Sequence, residues 1–81
     1  MTLDVMAEDD QLLIAKWEKV ESMRVDPATD PGSVSFPFTV EETEAMERLW
    51  RRGLIRPTGV ASAELTDEGI AEARRLLAAV R

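Results

Sequence analysis

The amino-acid sequence predicts a single small α+β domain in the order helix–strand–helix–β-hairpin–helix. Three observations carry that expectation. Apolar residues recur at helical spacing in three separate segments. Between the first two, Val34, Phe36 and Phe38 alternate with small or turn-forming residues, as on a strand with one buried face. Between the last two, Leu54-Ile55-Arg56 and Ala63-Glu64-Leu65 flank the turn-forming Pro57-Thr58-Gly59. The chain has 81 residues and no cysteine, so one thin core forms without a disulfide to reinforce it.

Residues 1–8 show weak periodicity and are expected to be a flexible arm, leaving 9–81 as the domain. A first helix is expected from Asp9 or Asp10, where acids favour the positive end of the helix dipole. Leu13, Ile14, Trp17, Val20 and Met23 fall on its buried stripe, and Asp26-Pro27 stops it near Arg24. Pro37 cannot donate to a ladder, so the strand around it belongs at a sheet edge.

Thr39 and Glu42 have the spacing of a capping box opening the second helix. Ala45, Met46, Leu49 and Trp50 converge on one side of that helix, and Gly53 ends it. Trp17 and Trp50 both lie on apolar stripes and are expected in the core. Thr66 caps the last helix, with Leu65 and Ile70 placed to form a hydrophobic staple and Ile70, Ala73, Leu77 and Val80 facing inward.

Histidine and tyrosine are absent along with cysteine. That removes the commonest general base, the commonest zinc ligands and the usual partners of a nucleophile, so the chain is not expected to be an enzyme. No cofactor is expected, since the isolated glycines form no phosphate cradle. Asp26 and Asp30 lie among turn residues without the dense oxygen pattern of a calcium loop, so no metal site is expected either. The N-terminus lacks a signal-peptide pattern and no long apolar run could span a bilayer, which makes the cytoplasm the expected compartment.

The net charge of −6 is unevenly placed. Up to Glu47, twelve acids oppose only Lys16, Lys19 and Arg24; from Arg48 onward, seven arginines oppose four acids. Glu44 and Glu47 each precede an arginine by four residues, the favoured orientation for pairing along a helix with Arg48 and Arg51. Arg52 and Arg56 are expected to be freer.

Met46-x-x-Leu49-x-x-x-Gly53-Leu54-Ile55, followed by Glu64-Leu65-Thr66-x-x-Gly69, resembles the C-terminal half of winged-helix regulators of the MarR-like and PadR-like families. The resemblance covers about half the chain and implies a small winged-helix-like domain. The first block would be the end of a recognition helix and the second the strand returning from the wing. A full winged helix places two helices between its first strand and the wing. Here there is room for one, so either residues 26–38 contain a degenerate helical turn or the helix-turn-helix is incomplete.

Two functional expectations follow. The leading one is a non-enzymatic protein-binding module with an acidic surface of Asp9, Asp10, Glu41 and Glu44. It would meet a partner's basic surface as a small regulator or inhibitor of nucleic-acid machinery, of the DNA-mimicking kind that phages use. The alternative is a DNA-binding transcriptional regulator, a homodimer presenting Arg52, Arg56, Arg74 and Arg75 to the phosphate backbone. A homodimer is an open expectation under either, since so small a core gains from further burial.

Overall fold

A computed structural model describes residues 6–80 and gives the expected element order. Helix α1 (Glu8–Met23) opens on Glu8, Asp9 and Asp10 and buries Leu13, Ile14, Trp17 and Val20. Met6 packs against the core just before the helix, while residues 1–5 of the expected arm lie outside the described residues. Met23, expected inside, is 41% exposed. The chain turns out of the helix there, with the Arg24 N–H closing the last turn onto the Val20 carbonyl at 3.0 Å.

A single 3-10 turn, Pro31–Ser33, lies within residues 26–38, with the Gly32 N–H bonded to the Asp30 carboxylate at 3.0 Å. Strand β1 (Phe36–Pro37) is shorter than the alternation predicts. Phe36 is fully buried, and Val34 and Phe38 pack half-buried on either side of it in sequence.

The capping box forms on a second 3-10 turn, Val40–Glu42, which leads directly into α2 (Thr43–Arg51). The Thr39 N–H donates to Glu42 Oε1 at 2.8 Å. Helix α2 buries Ala45, Met46 and Leu49. It ends in a Schellman motif: Gly53, at φ +78°, donates to the Trp50 carbonyl at 2.9 Å, and Leu54 to the Leu49 carbonyl at 3.0 Å.

Strands β2 (Ile55–Gly59) and β3 (Ser62–Leu65) form the hairpin, with its reversal at Val60-Ala61 and not at Pro57-Thr58-Gly59. Pro57 stands opposite Ala63 and Gly59 opposite Ser62, so Thr58 is the extra residue of a bulge. The strand order β1-β3-β2 puts both proline-bearing strands at edges, where a missing N–H is tolerated.

Thr66 caps α3 (Asp67–Val80) by accepting the Gly69 N–H at 3.0 Å, and its hydroxyl donates to the Gly53 carbonyl. A Cβ on Gly69 would lie 1.9 Å from the Leu54 carbonyl oxygen, so only glycine lets α3 seat against the end of α2. Helix α3 buries Ile70, Ala73 and Leu76, with Leu77 half-buried. Leu76 takes an inward place the periodicity did not assign, and the Val80 side chain lies outside the described residues.

This is a small α+β domain of three helices around a three-stranded antiparallel sheet, compatible with a winged-helix-like topology. Among the described residues, one α-helix separates β1 from β2, because Pro31–Ser33 precedes β1 and Val40–Glu42 continues into α2.

Candidate partner-binding face

The first turn of α1 lies beside the middle and end of α2, and this contact engages acids and arginines that sequence alone left outward. Arg48 forms a bidentate pair with Asp9, both bonds 2.8 Å. Arg52 reaches Asp10 at 3.2 Å and Glu72 of α3 at 3.5 Å. Asp9 and Asp10 are therefore half-buried and paired, unlike the open acidic surface expected of them. The bonds from Arg48 hold the Asp9 carboxyl below its ordinary value, and Asp9 in turn raises Arg48.

The other arginines among the described residues are also engaged. Arg56, expected free, bonds Glu64 across the hairpin through Nε at 2.9 Å and through Nη2. Arg75 holds Glu72 with two bonds of 2.7 Å, lowering the Glu72 pKa, and Arg74 lies 5.2 Å from the ring centre of buried Trp17. Arg51 pairs with Glu47 at 2.6 Å as the helical spacing predicts, whereas Arg48 takes Asp9 in place of Glu44. All four arginines of the DNA-binding alternative, Arg52, Arg56, Arg74 and Arg75, thus have an intramolecular partner.

The acids at the start of α2 divide differently. Glu42 accepts the Thr39 N–H, which lowers its pKa most, and also takes Lys16 Nζ at 3.1 Å; Lys16 donates as well to the Pro37 carbonyl. Glu41 and Glu44 are exposed, and among the described residues neither forms an ion pair. Glu41 borders a shallow concavity that it shares with Glu8, Gln11 and Leu12.

Further along α2, Trp50 breaks the core expectation: it is 55% exposed, while Leu49, its neighbour, is fully buried. At 100° per residue Trp50 stands at the margin of the buried stripe, past Met46 and toward Thr43 and Glu47. Trp50 and Met46 form one wall of an apolar groove of about 230 Å³, and Phe38, Ile55, Pro57 and Ala63 of the sheet side form the other. Thr43 and Glu47 stand at its lip. A larger concavity between α1 and α3, about 730 Å³, is more open and carries Glu18, Glu21 and Arg74 on its walls.

No sequence signal marked this groove, because its walls come from strands and a helix that share one apolar pattern with the core. Among the described residues, no group of three acidic or sulfur or imidazole side chains is placed to hold a metal ion, and no helix is long and apolar enough to cross a membrane.

Fold and surface together define a small α+β domain with an apolar groove that has one exposed acid, Glu47, at its lip. No protein-family model, curated protein or solved structure matches the chain.

Proposed function

We propose that this domain is a non-enzymatic binding module that meets a protein partner through the outward face of α2. One observation supports this best: the arginines near that face already have partners, while Glu41, in the turn leading into α2, and Glu44 are exposed with no ion pair among the described residues. Phosphate binding requires cations able to release counterions from the duplex. Here Arg52, Arg56 and Arg75 would each have to leave a carboxylate before touching DNA. A face with surplus acid is complementary to a basic protein surface and would speed encounter with one. A small regulator or inhibitor that covers a basic groove of nucleic-acid machinery fits that chemistry.

Two titrations test the reading. Fluorescence anisotropy of labelled duplex DNA is measured at about 50 mM and about 200 mM salt, where a cationic footprint declares itself by steep salt dependence. A labelled serine–lysine peptide is titrated in parallel. The expected result is no DNA binding at either salt, with peptide binding that weakens with salt and is lost in the Glu41→Lys/Glu44→Lys variant. Salt-steep DNA binding, or peptide binding indifferent to the double reversal, would reverse the reading in favour of the homodimeric DNA-binding regulator or remove it.

A further inference from the structure

Resting on that acidic-face reading, we propose that the groove between α2 and the sheet is the anchor site, and that its occupant is the apolar edge of a basic amphipathic helix from a partner protein. The walls supply the first half of the argument. Trp50, Met46, Phe38, Ile55, Pro57 and Ala63 make an almost wholly apolar trough, and Trp50 presents more than half its surface to solvent. An exposed tryptophan contributes little to holding this core together, but tryptophan is among the side chains that dominate binding energy at protein interfaces. The groove's 230 Å³ falls below the roughly 300–1,000 Å³ of most small-molecule sites, and suits anchor side chains instead.

Charge supplies the second half. Glu47 stands at the lip, and Glu44, three residues before it, lies outside the groove lining, about 60° further round the outward face of α2. An apolar helix edge in the groove would bring its flanking residues alongside them. Lysine or arginine there meets Glu44, which has no ion pair among the described residues, and Glu47, which shares Arg51. Acidic flanking residues meet repulsion. The same logic disfavours a second copy of this chain, because a two-fold contact at this face would bring both copies of Glu44 and Glu47 into one interface between chains of net charge −6. Helix-in-groove recognition needs just this combination, apolar anchors at i, i+3/i+4 and i+7 with polar flanks.

The test uses the whole chain and three labelled peptides of roughly 14 residues, enough for anchors over three turns. They are leucine–lysine at amphipathic spacing, the serine–lysine peptide that lacks the apolar edge, and leucine–glutamate. The leucine–lysine peptide should bind and shift tryptophan emission to the blue, at least about tenfold more tightly than serine–lysine. Leucine–glutamate should not bind. Trp50→Ala should weaken leucine–lysine binding about tenfold or more while leaving serine–lysine binding unchanged. Thr43→Arg at the groove lip also adds a cation beside Glu44 and Glu47, and should weaken leucine–lysine binding about tenfold more than it weakens serine–lysine binding. Because Thr43 is exposed, that variant keeps the test valid if Trp50→Ala melts early.

Equal binding of leucine–lysine and serine–lysine would overturn the groove while leaving the acidic face standing. Loss of both in the wild-type chain would overturn both. Sedimentation of the wild-type chain as a dimer, with Thr43→Arg monomeric, would assign the groove to a second copy and overturn the partner.

Discussion

The two sides of α2 are built from similar residues and treated oppositely by the fold. On the side toward α1 and α3, Arg48 and Arg52 find Asp9, Asp10 and Glu72, and the helix end is locked by Gly53 and Gly69. On the side toward the sheet, Trp50 is left half open, and on the outward face between the two sides Glu44 is exposed with no ion pair among the described residues. The difference teaches that charge content alone does not reveal an interaction surface. Acids near the N-terminus look the same in sequence whether they staple two helices or face a partner. Changes on the closed side should therefore cost stability and spare binding, and changes on the open side should do the reverse.

The largest effect is expected where α3 begins. In Gly69→Ala the new methyl would overlap the Leu54 carbonyl, which also accepts the Thr66 N–H at 3.1 Å. Backbone occupies the space, so relief requires α3 to move and the Thr66 cap to shift. A loss of about 3 kcal/mol is expected from overpacking of this kind. For a domain this size that lowers the melting temperature by roughly 12–24 °C, readable by circular dichroism. A melting temperature within a few degrees of wild type would mean that the close approach is not a constraint on this joint.

Acid should loosen the closed side next. Asp9, Glu42 and Glu72 are each held below their ordinary values, 3.8 for the aspartate and 4.5 for the glutamates, by hydrogen bonds to Arg48, the Thr39 N–H and Arg75 respectively. Carboxylates with depressed folded pKa values stabilise fully above their unfolded values, and that stabilisation is lost as pH falls through the folded ones. The melting temperature should hold from neutrality to about pH 5 and decline below it. Asp9→Asn with Glu72→Gln should start from a lower melting temperature and flatten the acid limb. An unchanged acid limb in that double variant would place the acid sensitivity elsewhere.

The smaller comparison sits within one turn of chain. Glu42 closes the capping box and holds Lys16, so Glu42→Ala should cost about 1 kcal/mol. Glu44 has only the helix dipole and the more distant Arg48 to lose, so Glu44→Ala should cost no more than a few tenths. Equal costs from chemical denaturation would erase the distinction between engaged and unengaged acids on which the proposed face rests.

How much of this was legible depended on the range of the interaction. Local signals worked: the Thr39–Glu42 box, the Gly53 stop, the Thr66 cap and the edge position of Pro37 are each decided within a few residues. The turn at Pro57-Thr58-Gly59 misled because an edge strand tolerates proline and a bulge absorbs Thr58, so the ladder continues to Gly59. The pairs Asp9–Arg48 and Asp10–Arg52 bridge 39 and 42 residues, beyond any periodic pattern. Glu44 precedes Arg48 at the favoured helical spacing, yet Asp9 takes that arginine in both bonds, since packing α1 on α2 offers a fork that a neighbouring turn cannot. The groove was hidden for a related reason, because periodicity places Trp50 on the stripe without saying how far the sheet extends to cover it.

Trp50 is where the comparison is sharpest, because there a small stability effect should accompany a large binding effect. Leu49 and Trp50 are adjacent, but Leu49 has no exposed surface. Leu49→Ala opens a cavity beneath α2 and should cost about 3 kcal/mol, in the range of buried leucine truncations. Trp50→Ala removes a side chain whose larger part is already in water, and the expected cost is no more than about 1 kcal/mol. If the two variants melt together, Trp50 serves the core and the groove is packing left slightly open. If Trp50→Ala melts near wild type while leucine–lysine binding falls, the fold does not require the indole at that surface, and recognition does.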